Sequence, residues 1–292
     1  MFARLLALLL PLLLFAYPSE AKSLASDRIT VAVTGSGSDV VLIPGLSSSP
    51  DVWSSTVAAV PGYRYHLVKV AGFDGAPAGS NASGPVLIPD ADEIARYIRE
   101  AGLKSPAVVG HSMGGSLAML VAGRNPGIVS KVMVVDMMPF LGAMFGGASA
   151  TAESVAPMAT QIREGIAKSA GDARKAQIES TIASMVKTVE MRPSAVAQSL
   201  ASDPAVSGQG MYDLIVTDLR PELPKINVPM TVLWVVPQGA PLTQEKMAGF
   251  YRASYAGAPQ AVLKHIPNSY HFIMYDQPEL FRTELKAFLE AK

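Results

Sequence analysis

Hydrophobic and polar positions follow two rhythms along this chain, and the switches between them mark out most of its elements. Short β-branched runs at 29–33, 40–43, 65–70, 106–110, 131–135, 230–236 and 261–266 predict strands. Between them, 51–60, 91–101, 113–124 and 277–290 carry apolar residues at helical spacing, the last presenting Leu280, Phe281, Leu285 and Phe288 on one face. Gly35-Ser36-Gly37-Ser38 separates the first two runs and predicts a hairpin. The alternation that follows predicts an α/β fold: a mostly parallel, doubly wound sheet with right-handed crossovers, preceded by a short antiparallel edge. One stretch breaks the rhythm. Between Met137 and Lys225 no long β-branched run occurs, while Ala-rich helical patterns recur at 154–168, 172–187 and 194–201. The expected organisation is a core domain over 22–136 and 226–292, interrupted by a helical cap over 137–225.

The first residues follow neither rhythm. Arg4 precedes an apolar run over 5–16, and Ser19-Glu20-Ala21 follows it. A run of about 12 residues containing Pro11 is short of the roughly 20 that span a bilayer, so 1–21 reads as a secretory signal peptide. The mature chain is then expected to begin near Lys22, exported to the periplasm or secreted, with no stable membrane span.

Composition narrows the function classes. The chain has 292 residues, 49% of them hydrophobic and 16% charged, which suits a sizeable buried core. Its 24 basic and 24 acidic residues balance, so no nucleic-acid partner is expected. The absence of cysteine excludes disulfides, thiol catalysis and thiolate metal sites. Four dispersed histidines without a His-Glu-x-x-His helix give no metal site. Gly35-Ser36-Gly37 leads into a strand and lacks a third glycine, so no dinucleotide cofactor is expected either. Seven of the 14 methionines fall in the helical stretch (Met137, Met138, Met144, Met158, Met185, Met191 and Met211), where such adaptable side chains either line an acyl pocket or fill a helical core.

The chemistry centres on Val108-Val109-Gly110-His111-Ser112-Met113-Gly114-Gly115. This Gly-x-Ser-x-Gly run falls where a buried strand gives way to a helix. A serine on such a turn projects its hydroxyl from the sheet edge, and the flanking glycines leave room for the tight backbone. Together with Leu42-Ile43-Pro44-Gly45-Leu46 before it and Ser269-Tyr270-His271-Phe272 after it, the run resembles the α/β-hydrolase superfamily, over about residues 29–289. The resemblance implies the α/β-hydrolase fold, ester-like or related acyl substrates, and a nucleophile, acid and histidine in that order. It also implies that the backbone N–H groups of Leu46 and Met113 form an oxyanion hole around a tetrahedral intermediate.

Placement selects the base. His271 follows the last strand and precedes the final helix, where a loop can swing it to Ser112; His66 and His265 sit within strands, and His111 adjoins the nucleophile but points away on a tight turn. The acid departs from the commonest pattern of the family, which puts an aspartate shortly after the strand at 230–236. Here that loop, Pro237-Gln238-Gly239-Ala240-Pro241-Leu242-Thr243, holds no carboxylate before Glu245. Asp136, at the end of the strand after the elbow helix, takes the role in the reading favoured here, with Glu245 as the alternative; Asp276 is expected to start the last helix. The expected function is hydrolysis of a carboxylic ester, by a Ser112–His271–Asp136 triad, of a small and partly apolar acyl substrate. Lactones, thioesters, amides, carbon–carbon bonds and acyl transfer remain open, as does a non-catalytic ligand-binding protein.

Overall fold

A computed structural model describes residues 25–291 apart from 148, 238, 240 and 241, so the expected leader lies outside the described residues. The strands are β1 (Ile29–Gly35), β2 (Ser38–Ile43), β3 (Tyr63–Val70), β4 (Ala107–His111), β5 (Lys131–Val135), β6 (Met230–Trp234) and β7 (Ala261–His265). They form one sheet in the order β1-β3-β2-β4-β5-β6-β7, every neighbouring pair parallel except β1 with β3. The helices are α1 (Ser54–Ala59), α2 (Leu87–Glu100), α3 (Met113–Arg124), α4 (Ala143–Gly146), α5 (Ala152–Lys168), α6 (Gly171–Met185), α7 (Arg192–Ala201), α8 (Pro204–Val216), α9 (Gln244–Ser254), α10 (Ile273–Asp276) and α11 (Pro278–Glu290).

Successive side chains of a strand point to opposite faces, and here both faces are buried. Val108 of β4, Val132 and Val134 of β5 and Val232 of β6 pack with α2, α3 and α9 on one side. Ala107, Val109, Met133, Val135 and Leu233 pack on the other with Trp53, Phe281, Leu285 and Phe288. The rings of Trp53 and Phe281 stack at 5.9 Å across the second face. This explains why the central strands read as unbroken apolar runs.

The expected hairpin does not form. β3 lies between β1 and β2, antiparallel to one and parallel to the other. Burial decides the order: four consecutive residues of β2 are buried, which demands a strand on each side, whereas β1 is mostly exposed and suits an edge. The turn between them therefore crosses the start of β3. Gly35 and Gly37 make the crossing with φ of 79° and 118°, and a Cβ on either would strike the carbonyl oxygens of Tyr63 and Gly62.

Between β5 and β6 the chain lays down five helices, α4 to α8. α5 and α8 share an apolar cluster of their own, with Phe140, Val155, Ala159 and Ile215 at its centre. This group is also wired to the core by polar bonds. α2 has no local side-chain cap; instead Asp213 of α8 accepts from the Val86 and Leu87 amides at 2.6 and 3.0 Å. A distant carboxylate thus satisfies donors that a helix start leaves open.

Beside that start, Asp90 is fully buried. Its Oδ2 receives the Asn81 amide at 3.3 Å, its Oδ1 has no partner, and Arg28 stands 3.9 Å away. Burial pushes this carboxyl up to about 8, against the pull of Asn81 and Arg28. Between the ordinary carboxylate range and pH 8 the folded state holds a proton that the unfolded chain releases, so stability falls as pH rises through that window. The melting temperature of Asp90→Asn relative to wild type is therefore expected to rise steadily from pH 4 to pH 8. A gap that stays constant across that range would show that Asp90 ionises normally.

Candidate active site

Ser112 sits at the junction of β4 and α3 with φ of 53° and ψ of −121°, a backbone state that a non-glycine residue holds only when its surroundings force it. Three contacts supply the force. The Ser112 amide donates to the Val135 carbonyl at 2.9 Å, and the Ser112 carbonyl accepts from the Gly115 amide at 2.8 Å. Gly110 and Gly114 let the backbones meet: a Cβ on Gly110 would collide with the Gly114 carbonyl, and one on Gly114 with the carbonyls of Ile43 and Pro44. The strand–turn–helix is therefore clamped between the ends of β2 and β5, and Ser112 faces a cavity of about 500 Å³.

Asp136 and His271 line the same cavity. Asp136 leaves β5 with a φ of 51°, a conformation that aspartate tolerates better than most residues, and its amide donates to Leu233 at 2.8 Å. Its Oδ2 stands 2.6 Å from His271 Nδ1. Its Oδ1 accepts from the Val235 amide at 3.2 Å and from the Tyr251 hydroxyl at 3.0 Å. Tyr251 is held well above its ordinary pKa, first by burial and then by the Asp136 charge, so it stays a donor. With its carboxylate oxygens fixed from two sides, Asp136 constrains the ring of His271 in turn. Among the described residues no hydrogen bond yet joins His271 to the Ser112 hydroxyl; such bonds are often loose before a substrate binds.

His111 turns away from Ser112. It is fully buried, its Nε2 lies 3.1 Å from the His271 carbonyl, and its ring packs 4.6 Å from that of His271. Burial, and next the neighbouring His271, hold its pKa well below the usual imidazole value. It is therefore neutral, with Nε2–H donating to the carbonyl, and it places no second cation beside His271. The other two histidines lie elsewhere. His66 bonds Tyr97 Oη at 2.7 Å and Asp39 Oδ1 at 3.0 Å, and His265 packs at a tilt against Trp234, with ring centroids 4.6 Å apart. Glu245 is exposed on the first turn of α9 and is not among the cavity residues, so the structure brings Asp136, and not Glu245, to His271.

On the opposite side of Ser112, Pro44-Gly45-Leu46 carries the chain out of β2, and Ser47 follows with a φ of 56°. Neither the Leu46 nor the Met113 N–H donates to another group among the described residues. The loop is anchored to the inserted helices: Ser47 Oγ lies 2.8 Å from Ser207 Oγ of α8, and the Ser49 amide donates to Gln198 Oε1 of α7 at 2.8 Å. Five of the seven methionines between 137 and 225 (Met137, Met138, Met144, Met185 and Met211) line the cavity, together with Met247 of α9. Met158 and Met191 instead pack into apolar clusters. Five of the seven thus line the cavity, and two serve as apolar packing. Among the described residues no cluster of three His, Asp or Glu side chains is placed to hold a metal ion.

Two site features escaped the sequence. Tyr251 carries no motif, and only the fold brings α9 against Asp136. Asp276 does not start the last helix, which begins at Pro278 with Gln277 before it; it ends α10 and turns its carboxylate back to the His271 loop.

A family model described as the alpha/beta hydrolase family matches residues 40–284, and the chain belongs to that family. The chain is 29% identical over 221 residues to the pimeloyl-[acyl-carrier protein] methyl ester esterase of Vibrio atlanticus (strain LGP32), covering 72% of this chain and 80% of that protein. It is 26% identical to the mouse (Mus musculus) sn-1-specific diacylglycerol lipase ABHD11, over 86% of this chain and 80% of that one. Its fold is also similar to that of the esterase EaEST from Exiguobacterium antarcticum, with a TM-score of 0.75, 20% identity, and coverage of 93% and 98%.

The glycine contacts give a direct stability prediction. Gly114→Ala drives a methyl group into two carbonyl oxygens that cannot retreat without moving β2, so a loss of at least ~1–3 kcal/mol is expected in denaturant unfolding. An unchanged midpoint would mean that the elbow is looser than described.

Proposed function

We propose that this protein hydrolyses carboxylic esters through an acyl-enzyme on Ser112. The observation that carries the reading is the shared cavity of Ser112 and His271, with Asp136 Oδ2 2.6 Å from His271 Nδ1. In this mechanism His271 Nε2 takes the Ser112 proton as Oγ bonds to the ester carbonyl carbon. Asp136 keeps the proton of His271 on Nδ1 and stabilises the imidazolium. The Leu46 and Met113 amides donate to the oxyanion. Collapse breaks the carbon–oxygen bond, and His271 hands its proton to the departing alcohol. Water then adds to the acyl-enzyme by the same route, releasing the acid and restoring Ser112. Neutral His111 supports this cycle, because a charged ring 4.6 Å away would oppose the positive charge His271 must accept.

The substrate we infer is an ester with a flexible, apolar acyl chain, which the methionine-lined cavity suits. Names of relatives agree in kind, since both sequence relatives described above are named for cleaving esters. The helices over 137–225 act, in this reading, as the cap that shapes the acyl site. The 237–243 loop without a carboxylate favours a non-catalytic ligand-binding role, and Asp136 beside His271 speaks against it. Export is proposed as well, on the strength of Arg4 and the apolar run at 5–16.

A fluorophosphonate probe is expected to label the wild type and not Ser112→Ala; an unlabelled wild type would return the binding-protein reading. Asp136→Asn is expected to lower kcat by roughly 10³-fold or more, while Glu245→Gln changes it little. The reverse outcome would move the acid to Glu245. In a p-nitrophenyl ester series, kcat/KM is expected to rise about fourfold per added methylene until the cavity is full, the equivalent of ~0.8 kcal/mol for each buried CH₂. Activity confined to the shortest ester would mean the methionines do not form an acyl site.

A further inference from the structure

The loop that carries His271 is bound to more than Asp136. Asp276 Oδ2 accepts from the Tyr270 amide, one residue before His271, at 2.8 Å. The same carboxylate accepts from the Lys187 amide at 3.1 Å and, through Oδ1, from the Thr188 amide at 2.8 Å. These two amides follow α6, whose Ile178, Thr181, Ile182 and Met185 line the cavity. A fourth bond runs in parallel, from the Phe272 amide to the Met185 carbonyl at 3.1 Å. The base and the acyl-facing helix are thus joined at both flanks of His271, and one carboxylate holds three of the four bonds.

Charge explains why an aspartate stands there. Three amide donors converge on it and no cation pairs with it among the described residues, so the carboxylate's acceptor-only character is what fits. An amide in its place would aim N–H at N–H. Bonds from backbone to a charged acceptor are also the stronger kind, and one of the three starts at Tyr270, the residue before an imidazole that must meet Ser112 in a narrow range of positions.

We propose that Asp276 is a positioning residue, which locks the His271 loop to the end of α6 so that the seat of the acyl-facing helix sets the position of the base. This rests on the Ser112–His271 chemistry proposed above. It predicts that loss of Asp276 lowers turnover more than binding, because the cavity walls survive while the base drifts; a displacement near 1 Å costs up to about 100-fold.

The test compares Asp276→Asn with Thr188→Pro, each measured per folded molecule by thermal melt and near-ultraviolet circular dichroism. Thr188 has a φ of −70°, which proline adopts, so this second variant deletes one cap-side donor, and its ring carbon, standing where the N–H pointed, pushes the Asp276 carboxylate away from α6 while residue 276 itself is unchanged. With an ester that the wild type turns over, Asp276→Asn is expected to lose about 10–100-fold in kcat with KM within threefold, and Thr188→Pro, which dislodges the same carboxylate from the α6 side, to lose kcat in the same direction with KM likewise little changed. A second readout needs no activity: the far-downfield proton NMR signal of the His271 Nδ1–Asp136 bond, readable in a chain with four histidines. It is expected to broaden or vanish in Asp276→Asn and persist in Glu245→Gln. If the wild type cleaves no ester but this signal responds to Asp276, the hydrolase reading fails and the positioning role stands. If both variants fold and neither kcat nor the NMR signal moves, Asp276 is a structural fastener alone and the proposal is overturned.

Discussion

The left-handed turn at Ser112 is the constraint on which the rest of the site depends. Its cost is met by close packing of three backbones, at Gly110, Gly114 and the Ile43–Pro44 end of β2, and by the bond from the Ser112 amide to the last residue of β5. Because the clamp is made of strand ends, the same contacts that strain Ser112 fix where β2 and β5 release the chain. Leu46 leaves one end and Asp136 the other, so the proposed oxyanion donor and the proposed acid are set by the frame that sets Ser112. The sheet order makes this possible, with β4 between β2 and β5.

His271 is the member that this frame does not fix. It lies on a loop beyond β7, far along the sheet, and is brought in by side-chain bonds: Asp136 on its ring, His111 on its carbonyl, and Asp276 on the residue before it. Burial matters most around the first two. It keeps His111 neutral, keeps the Tyr251 phenol protonated against Asp136, and strengthens bonds that water would weaken. The inserted helices share in this arrangement. α7 and α8 hold the loop after β2 through Gln198 and Ser207, and α6 reaches the His271 loop through Lys187 and Thr188.

The sequence was most legible where one local rule decided the outcome. The central strands announced themselves as apolar runs because both faces are buried, and Gly-x-Ser-x-Gly announced the elbow because only glycine fits two of its positions. Asp136 was reachable through the family resemblance, once the 237–243 loop proved to lack a carboxylate, although Glu245 stayed open until the fold was seen. Strand order was not local: Gly35-Ser36-Gly37-Ser38 looks like a hairpin turn, and only the comparative burial of β1 and β2 shows that β3 must lie between them. α8 escaped notice although Asp203 and Pro204 form a regular helix start, since Gly208 and Gly210 interrupt its apolar pattern. Tyr251, Asp213 and, through Lys187 and Thr188, Asp276 act across more than 80 residues of chain, on backbone amides or on another side chain, and no spacing rule encodes such partners.

The central claim is that a covalent acyl-enzyme forms on Ser112, and intact-protein mass spectrometry of turnover samples quenched in acid tests it most directly. With a p-nitrophenyl ester as substrate, the expected result is a mass increase of one acyl group that peptide mapping assigns to Ser112 and that hydroxylamine removes. Ester cleavage without any adduct, or with the acyl group on another residue, would contradict it.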